Sequence, residues 1–454
     1  MDFAARAHDH NYRLDPIVRT RFDSDFYKLV MRQMIEAKHP MTRVRIAMRN
    51  RTGDVRLAEK VTIGEMREQL DHAQTLRYTP KELIWLRGNT FYGKDGMFAP
   101  DFIGTLKLSK LPDYELSVDQ ETGQFVLESE STWGDVSEWE MPFLTITNEL
   151  LTRARLRDMS RSRLDIMYAR AKTRLYAKLE RILEHPEITI SEFGTRRRHS
   201  FLWQQYVIQT MKEVLGPQFI GTSNTHVAME EDCEAKGTNA HELPMVYAAL
   251  AASAAQGRPQ DEQDAAVRES QYEVLKDWQT LYHDRLRVFL PDTFGTTQFL
   301  AGAPEWVNRW TGARPDSKEP IEAGEELIAW WKGTGQDPTK KLVIFSDGMD
   351  IEIPGTPLNG SDIIAVHEHF KGRMIDSYGW GTNATNDFRG CAVGDPSAMK
   401  PISLVCKVKS VNGRAAVKIS DNAAKATCSD PEELARYLRI FGHEGTGGKR
   451  DTLV

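Results

Sequence analysis

Leu342-Val-Ile-Phe-Ser-Asp-Gly348 and Met374-Ile-Asp-Ser-Tyr-Gly-Trp-Gly-Thr382 each run from a short apolar, β-branched stretch into a loop of Gly, Ser, Thr or Asp. The same design recurs in Ile188-Thr-Ile-Ser-Glu-Phe-Gly-Thr-Arg-Arg-Arg198, Phe219-Ile-Gly-Thr-Ser-Asn224 and Val288-Phe-Leu-Pro-Asp-Thr-Phe-Gly-Thr296. A parallel strand buried on both faces needs the apolar run, and α/β proteins place their chemistry at its carboxyl end. Glycine amides and hydroxyls at that end suit phosphate oxygens, because a backbone without Cβ approaches an anion closely. Five such units over about half of 454 residues argue for an enzyme handling a phosphorylated sugar or nucleotide.

Around this rhythm the chain changes character. Before about residue 150, Phe26 to Met34 reads as a helix and Val44 to Arg51 as a strand. Tyr114–Asp119 and Gln124–Glu128 flank Glu-Thr-Gly as a hairpin. Helical spacing fills Thr145 to Arg157 and Leu164 to Leu183. Near the end, Leu404–Val411 and Ala415–Ile419 straddle Asn412-Gly413, a strong hairpin signal, and Pro431–Phe441 makes a last helix. The expected fold is therefore α/β: an irregular, incomplete α/β barrel over 151–395, with a second α+β domain built from 1–150 and 396–454. The polar stretch Ala252–Ser270 reads as a surface insertion without a functional role.

Composition narrows the class. A net charge of −6 with both signs interspersed argues against a nucleic-acid binder. Cys233, Cys391, Cys406 and Cys428 show no metal or redox spacing and read as reduced thiols. Met1-Asp-Phe-Ala-Ala-Arg-Ala-His-Asp-His10 lacks a signal-peptide pattern, and no apolar run approaches a membrane span, so a soluble cytoplasmic protein without a membrane partner is expected.

Several residues carry chemistry. Arg196-Arg-Arg198 would repel one another unless anions or carboxylates intervene, and guanidinium forks suit phosphate; alone, the run would be a solvated charge cluster. Ser346-Asp-Gly348 and Gly379-Trp-Gly-Thr382 close the last two apparent barrel strands, the usual phosphate position, although each is also ordinary turn chemistry. His241, in Gly237-Thr-Asn-Ala-His-Glu242, could act as a nucleophile, with Asp292 as the carboxylate that orients it; in isolation it would more often be a structural histidine. Arg314-Pro-Asp-Ser317 offers a cation, a carboxylate and a hydroxyl together. His367-Glu-His369 looks like a metal cluster, but that spacing on a helix points the rings apart, so it is expected at the surface. No Walker-type loop and no nucleophile elbow is present.

Taken together, Asp25-Phe-Tyr-Lys28, Phe193-Gly-Thr-Arg-Arg-Arg198, Gly221-Thr-Ser-Asn224, Gly237-Thr-Asn-Ala-His-Glu242, Arg314-Pro-Asp-Ser317, Phe345-Ser-Asp-Gly348, Gly379-Trp-Gly-Thr-Asn383 and Val417-Lys-Ile-Ser-Asp421 resemble the nicotinate phosphoribosyltransferase family, in the family's order and over nearly the whole chain. The resemblance implies a type II phosphoribosyltransferase fold. It implies condensation of nicotinate with phosphoribosyl pyrophosphate to nicotinate mononucleotide and pyrophosphate, with ATP as co-substrate and Mg²⁺, in NAD salvage. It further implies a homodimer with shared active sites, in which Phe193 and Tyr27 of the other subunit sandwich the pyridine ring. Thr222, Ser223, Arg196 and Arg314 would contact substrates, and Asp316 the ribose or Mg²⁺ carried on the pyrophosphate. Ser346, Gly348, Gly379, Gly381 and Thr382 would hold the 5′-phosphate. His241 corresponds to a phosphorylated histidine and Asp292 to the carboxylate beside it. One departure is Lys318-Glu319, where the family often carries Gly-Asp before the proline; this puts local ligand contacts of Arg314 and Asp316 in question. The nearest alternative is a nicotinamide phosphoribosyltransferase. Those relatives carry an acid where this chain has Ser223, and the neutral serine favours the acid substrate. A non-catalytic phosphate-binding barrel is the other alternative; it would not require His241, Asp292, Asp316 and the arginines together.

Overall fold

The computed structural model describes residues 15–422 and 426–442; the N-terminal decapeptide read above lies outside them. Two sheets organise the chain. An antiparallel sheet runs in the order Arg414–Ala415, Leu404–Val411, Arg43–Asn50, Gln124–Thr132, Tyr114–Asp119. Its central strand shows why it forms. Val44, Ile46 and Met48 alternate with polar or small residues, and all three are buried. Leu404–Val411 pairs along this strand, setting Met48 opposite Cys406 and Ala47 opposite Lys407. The expected hairpin follows, with Asn412 and Gly413 both at positive φ (48° and 84°), the turn that matches strand twist. The second strand of that hairpin is only Arg414–Ala415, not Ala415–Ile419. The residues beyond it leave the sheet because Ile419 and Ser420 donate instead to the Thr293 carbonyl.

The other sheet is parallel throughout, in the order Phe219–Thr222, Ile190–Glu192, Ile375–Trp380, Leu342–Phe345, Gly312–Ala313, Val288–Phe289. All five repeated segments supply strands. The sixth, Gly312–Ala313, has no β-branched run and so carries no strand signal in the sequence. Its first and last strands do not pair directly. The segment 234–239 lies between them: Thr222 N donates to Glu234 O (3.1 Å), Lys236 N to Thr222 O (2.8 Å), and Asn239 Nδ2 to Val288 O (3.2 Å). The barrel is therefore closed by irregular chain, and the loops after Ile190–Glu192 and Gly312–Ala313 meet Ile46, Cys406, Lys407 and Val408 of the antiparallel sheet around one cavity.

Two expectations are corrected. Ala252–Ser270 is not a loose insertion: it contains the end of the helix Glu242–Ala254 and the start of the 22-residue helix Gln260–Leu281. Asp264, Val267 and Ser270 are buried there, Asp264 bonds Arg439 (2.6 Å), and Val267 packs with Phe294, Tyr437 and Phe441. Its polar letters are the outer face of an amphipathic helix covered by the last helix, Pro431–Phe441. His367 is not at the surface either: it is buried and its Nδ1 bonds Asp376 (2.8 Å), while His369 faces Glu325. The spacing did separate the rings, but it sent one of them inward. No helix among the described residues is long and apolar enough to cross a membrane.

Candidate active site

Tyr27 opens the helix Tyr27–Lys38, Phe193 follows the strand Ile190–Glu192, and Arg314 follows Gly312–Ala313. These three residues line two adjoining cavities at the carboxyl ends of the barrel strands. The smaller, about 70 Å³, is also walled by Glu140, Arg196, His241, Asp316 and Lys407. The larger, about 300 Å³, runs down the barrel past Ser191, Ile344 and Ser346. The two aromatics are held by close backbone packing. A Cβ on Gly237 would stand 2.6 Å from the Tyr27 amide, so only glycine lets the His241 loop lie against that helix start. Phe193 N donates to Trp380 O (2.9 Å), tying the ring to the next strand. Both rings come from one chain. Tyr27 and Phe193 of the same chain therefore line the same two cavities.

The Arg-Arg-Arg run divides. Arg198 is fully buried and grips Asp23 with two bonds (2.5 and 2.8 Å). Arg197 donates to the Leu404 carbonyl. Only Arg196 keeps a partly exposed side chain in the cavity, with Glu140 and Asp25 at 3.8 and 3.9 Å. Arg314 donates to Asn239 O (2.7 Å) and its buried Nε has no protein partner, leaving a donor for a ligand. Lys318 and Glu319 leave Arg314 and Asp316 on the cavity wall, because Lys318 turns away to Glu326 (2.5 Å).

His241 sits just before the helix Glu242–Ala254. Its Nε2 meets both oxygens of Asp292 (2.9 and 3.0 Å), and its Nδ1 faces Asp316 (3.9 Å). Burial pushes the imidazole pKa down to about 4, outweighing the opposite pull of Asp292. Asp292 is fully buried, yet His241, Lys418 and the Ser317 hydroxyl (2.8 Å) hold its carboxyl well below the usual range. The ring is therefore neutral near pH 7, with its Nε2–H directed at Asp292 and an unprotonated Nδ1 on the cavity side.

The loop residues separate into two groups. Ser346, whose hydroxyl donates to Asp316 (3.0 Å), lies beside Gly379 and Phe193, and Gly381 abuts the Phe193 carbonyl. With Gly348 after the strand Leu342–Phe345 and Thr382 starting the short helix Thr382–Thr385, these residues sit at two neighbouring strand ends next to Phe193. Thr222 and Ser223, by contrast, are fully buried beneath the cavity. Thr222 donates to Glu192 (2.5 Å) and Ser223 to Asp25 (2.7 Å). They touch the site through those carboxylates, not directly.

Sequence reasoning missed Glu140, Glu192, Asp25 as an anchor, and Lys407. Glu140 shares Lys28 with Glu242 (2.5 and 2.7 Å). Glu192 accepts from Thr222, Gly194 N and Gln204, and burial pushes its pKa up to about 7. Glu140 and Lys407 occupy regular helix and strand, where nothing in their local sequence distinguishes them from solvent-facing neighbours.

An irregular parallel barrel with paired glycine loops, an aromatic slot and a buried His–Asp couple defines an enzyme of the type II phosphoribosyltransferase class. Residues 188–444 match the nicotinate phosphoribosyltransferase (NAPRTase) family and residues 22–148 its N-terminal domain. A nicotinate phosphoribosyltransferase from Vibrio cholerae superposes with a TM-score of 0.81 at 28% identity, covering 96% of each chain. One from Porphyromonas gingivalis shares the fold with a TM-score of 0.76 at 23% identity, over 94% of this chain and 100% of the other. The chain belongs to the nicotinate phosphoribosyltransferase family.

Proposed function

We propose that this chain joins nicotinate to 5-phosphoribosyl 1-pyrophosphate, giving nicotinate mononucleotide and pyrophosphate for NAD synthesis, with ATP as co-substrate. Supporting this most is one arrangement: Phe193, Tyr27, Arg196, Arg314, Asp316 and His241 around a single cavity. The pyridine ring stacks between Phe193 and Tyr27, and Arg196 takes its carboxylate. The ring nitrogen attacks C1 of the ribose as the bond to pyrophosphate breaks, and pyrophosphate leaves with the electron pair. Positive charge builds on the ribose and negative charge on the leaving group, so Asp316 and Arg314 stand where each is needed. Ser346, Gly348, Gly379, Gly381 and Thr382 anchor the 5′-phosphate and fix C1 against the ring.

For ATP, the unprotonated Nδ1 of His241 attacks the γ-phosphorus and ADP departs; water later removes the phosphoryl group. Asp292 fixes the tautomer and offsets charge that develops on the ring. Among the described residues no group of three or more metal-binding side chains comes together. Asp316 is a single carboxylate at the cavity, and Mg²⁺ suits such a place because it keeps waters and substrate phosphates as its other ligands. Bound there with the pyrophosphate, Mg²⁺ would offset leaving-group charge. A turnover assay with nicotinate, phosphoribosyl pyrophosphate and Mg²⁺, with and without ATP, tests the reading. Nicotinate mononucleotide should form, and faster than the nicotinamide product; equal rates for both pyridines would overturn the substrate assignment.

A further inference from the structure

Lys407 is a charged cavity residue that the reaction above does not use. It lies in the strand Leu404–Val411, opposite Ala47, and reaches the same cavity as His241, Arg196 and Arg314. No hydrogen bond or ion pair to its ammonium is seen among the described residues. The carboxylate that acts on it most strongly is Glu140, which is already held by Lys28 at 2.5 Å. Around it stand mostly cations: Arg196 on the Phe193 loop, Arg51 after the strand Arg43–Asn50, and Lys418 beside Asp292. The remaining charged and titratable groups on this cavity are Tyr27, Cys406, Glu242, His241, Arg314 and Asp316. Desolvation, then Lys418, then Arg196 and Arg51 against Glu140, push the Lys407 pKa down to about 7. A lysine in such a place is unfavourable in the empty protein unless an anion completes it.

We propose that Lys407 closes an anion socket with Arg196 and Arg314 on the His241 side of the cavity, and that this socket takes a pyrophosphate-type group. Two sources share that chemistry: the diphosphate of phosphoribosyl pyrophosphate and the terminal phosphates of ATP. The identity of those sources rests on the function proposed above; the existence of the socket does not. Binding such a group would raise the Lys407 pKa, so the site takes up a proton as it fills. The empty site loses its positive charge as pH rises through about 7, and affinity falls with it.

Calorimetric titration of the full chain with inorganic pyrophosphate, at pH 6.5 and 8.5, tests this in wild type, Lys407→Met and Lys407→Arg, with ribose 5-phosphate as control ligand. Lys407→Met should weaken pyrophosphate binding about tenfold or more at the lower pH, the scale of a lost charge-assisted bond. Ribose 5-phosphate, held by the glycine loops, should bind as before. Between the two pH values wild type should lose roughly tenfold more affinity than Lys407→Arg, which stays charged throughout. Titration with a non-hydrolysable ATP analogue then separates the sources: weakening confined to pyrophosphate assigns the leaving group, and weakening confined to the analogue assigns ATP. Unchanged binding of both ligands in Lys407→Met overturns the socket, as do parallel pH trends in wild type and Lys407→Arg. If Lys407→Met does not fold, the comparison of wild type with Lys407→Arg still decides. Wild-type turnover of nicotinate is scored separately, so a failure of the reaction assignment is not confused with a failure of the socket.

Discussion

Arg196 and Arg198 are two residues apart in one run of identical side chains, and the structure gives them opposite work. Arg198 points into the foundation below the barrel mouth, where Asp23 takes both arms of its guanidinium, Gln204 and Asn224 complete the network, and no water reaches it. Arg196 points into the cavity with its carboxylates at 3.8 and 3.9 Å, too long for tight hydrogen bonds. A cation gripped by a bidentate buried partner supports the fold, whereas one held only at long range is available to a ligand. The contrast extends to Thr222 and Ser223 on the foundation side and to Arg314 and Lys407 on the cavity side.

Breaking the foundation should have the largest effect. Arg198→Met leaves buried Asp23 without the cation that grips it, with only the Asn224 amide still donating to it, which costs about 3–5 kcal/mol of stability. Urea unfolding checks this; a loss under 1 kcal/mol would mean that the foundation and cavity arginines are interchangeable. Next in size is Arg196→Ala. Its pairs are long, and buried Asp25 and Glu140 keep Ser223 and Lys28 as partners, so the loss of stability should stay near about 1 kcal/mol, but turnover of nicotinate should fall by about a hundredfold. Loss of stability and activity together would erase the distinction.

This division also sets how much the sequence revealed. The five apolar-run-to-loop segments made the parallel barrel legible, because buried strands and their glycine loops write their pattern locally. Phe193, Ser346 and Gly379 lie in those same loops, whereas Arg314 and His241 lie outside them and stood out only by residue type and by the family resemblance. Which of three arginines faces the cavity was not, since neighbours in a loop differ only in where tertiary packing turns them. Gly312–Ala313 and the closing segment 234–239 were invisible because they are too short or irregular to carry a period. Lys407 and Lys409 have the same strand parity, and only the register shift between Arg45 and Ile46, which leaves Lys409 without a pairing partner, gives them different environments.

The His241–Asp292 pair lies at the boundary of the two regions, buried like the foundation yet open to the cavity on one ring nitrogen. His241→Ala should abolish labelling by γ-³²P-ATP and the gain that ATP gives, while retaining part of the ATP-independent condensation. Because burial lowers the ring's pKa to about 4, the imidazole stays unprotonated and nucleophilic down to about that pH. An unperturbed histidine would lose the reaction below about pH 6.5. A labelling rate that halves near pH 6.5 would show that the ring is less desolvated than its burial indicates.

The smallest expected effect belongs to Ser223, and it tests whether foundation and cavity communicate. The Ser223 hydroxyl donates to Asp25, and the other Asp25 oxygen lies 3.9 Å from Arg196. Asp25 is fully buried, and burial pushes its carboxyl up, against the opposing pulls of Arg196 and Ser223. Ser223→Ala removes one of the bonds that keep this carboxylate ionised, at a cost of about 1 kcal/mol. With less charge on Asp25, Arg196 is less restrained, and the preference for nicotinate over nicotinamide should shift by only about twofold to fivefold, within the range of a weak indirect contact. Ser223→Asp sets a second carboxyl against Asp25 in a dry site, so it should raise that pair's pKa values and destabilise the fold before it alters substrate choice. Kinetics with the two pyridines, run alongside unfolding of both variants, separate the cases. A tenfold or greater change in preference for Ser223→Ala at unchanged stability would place the serine in direct contact with the ring, on the cavity side of the divide.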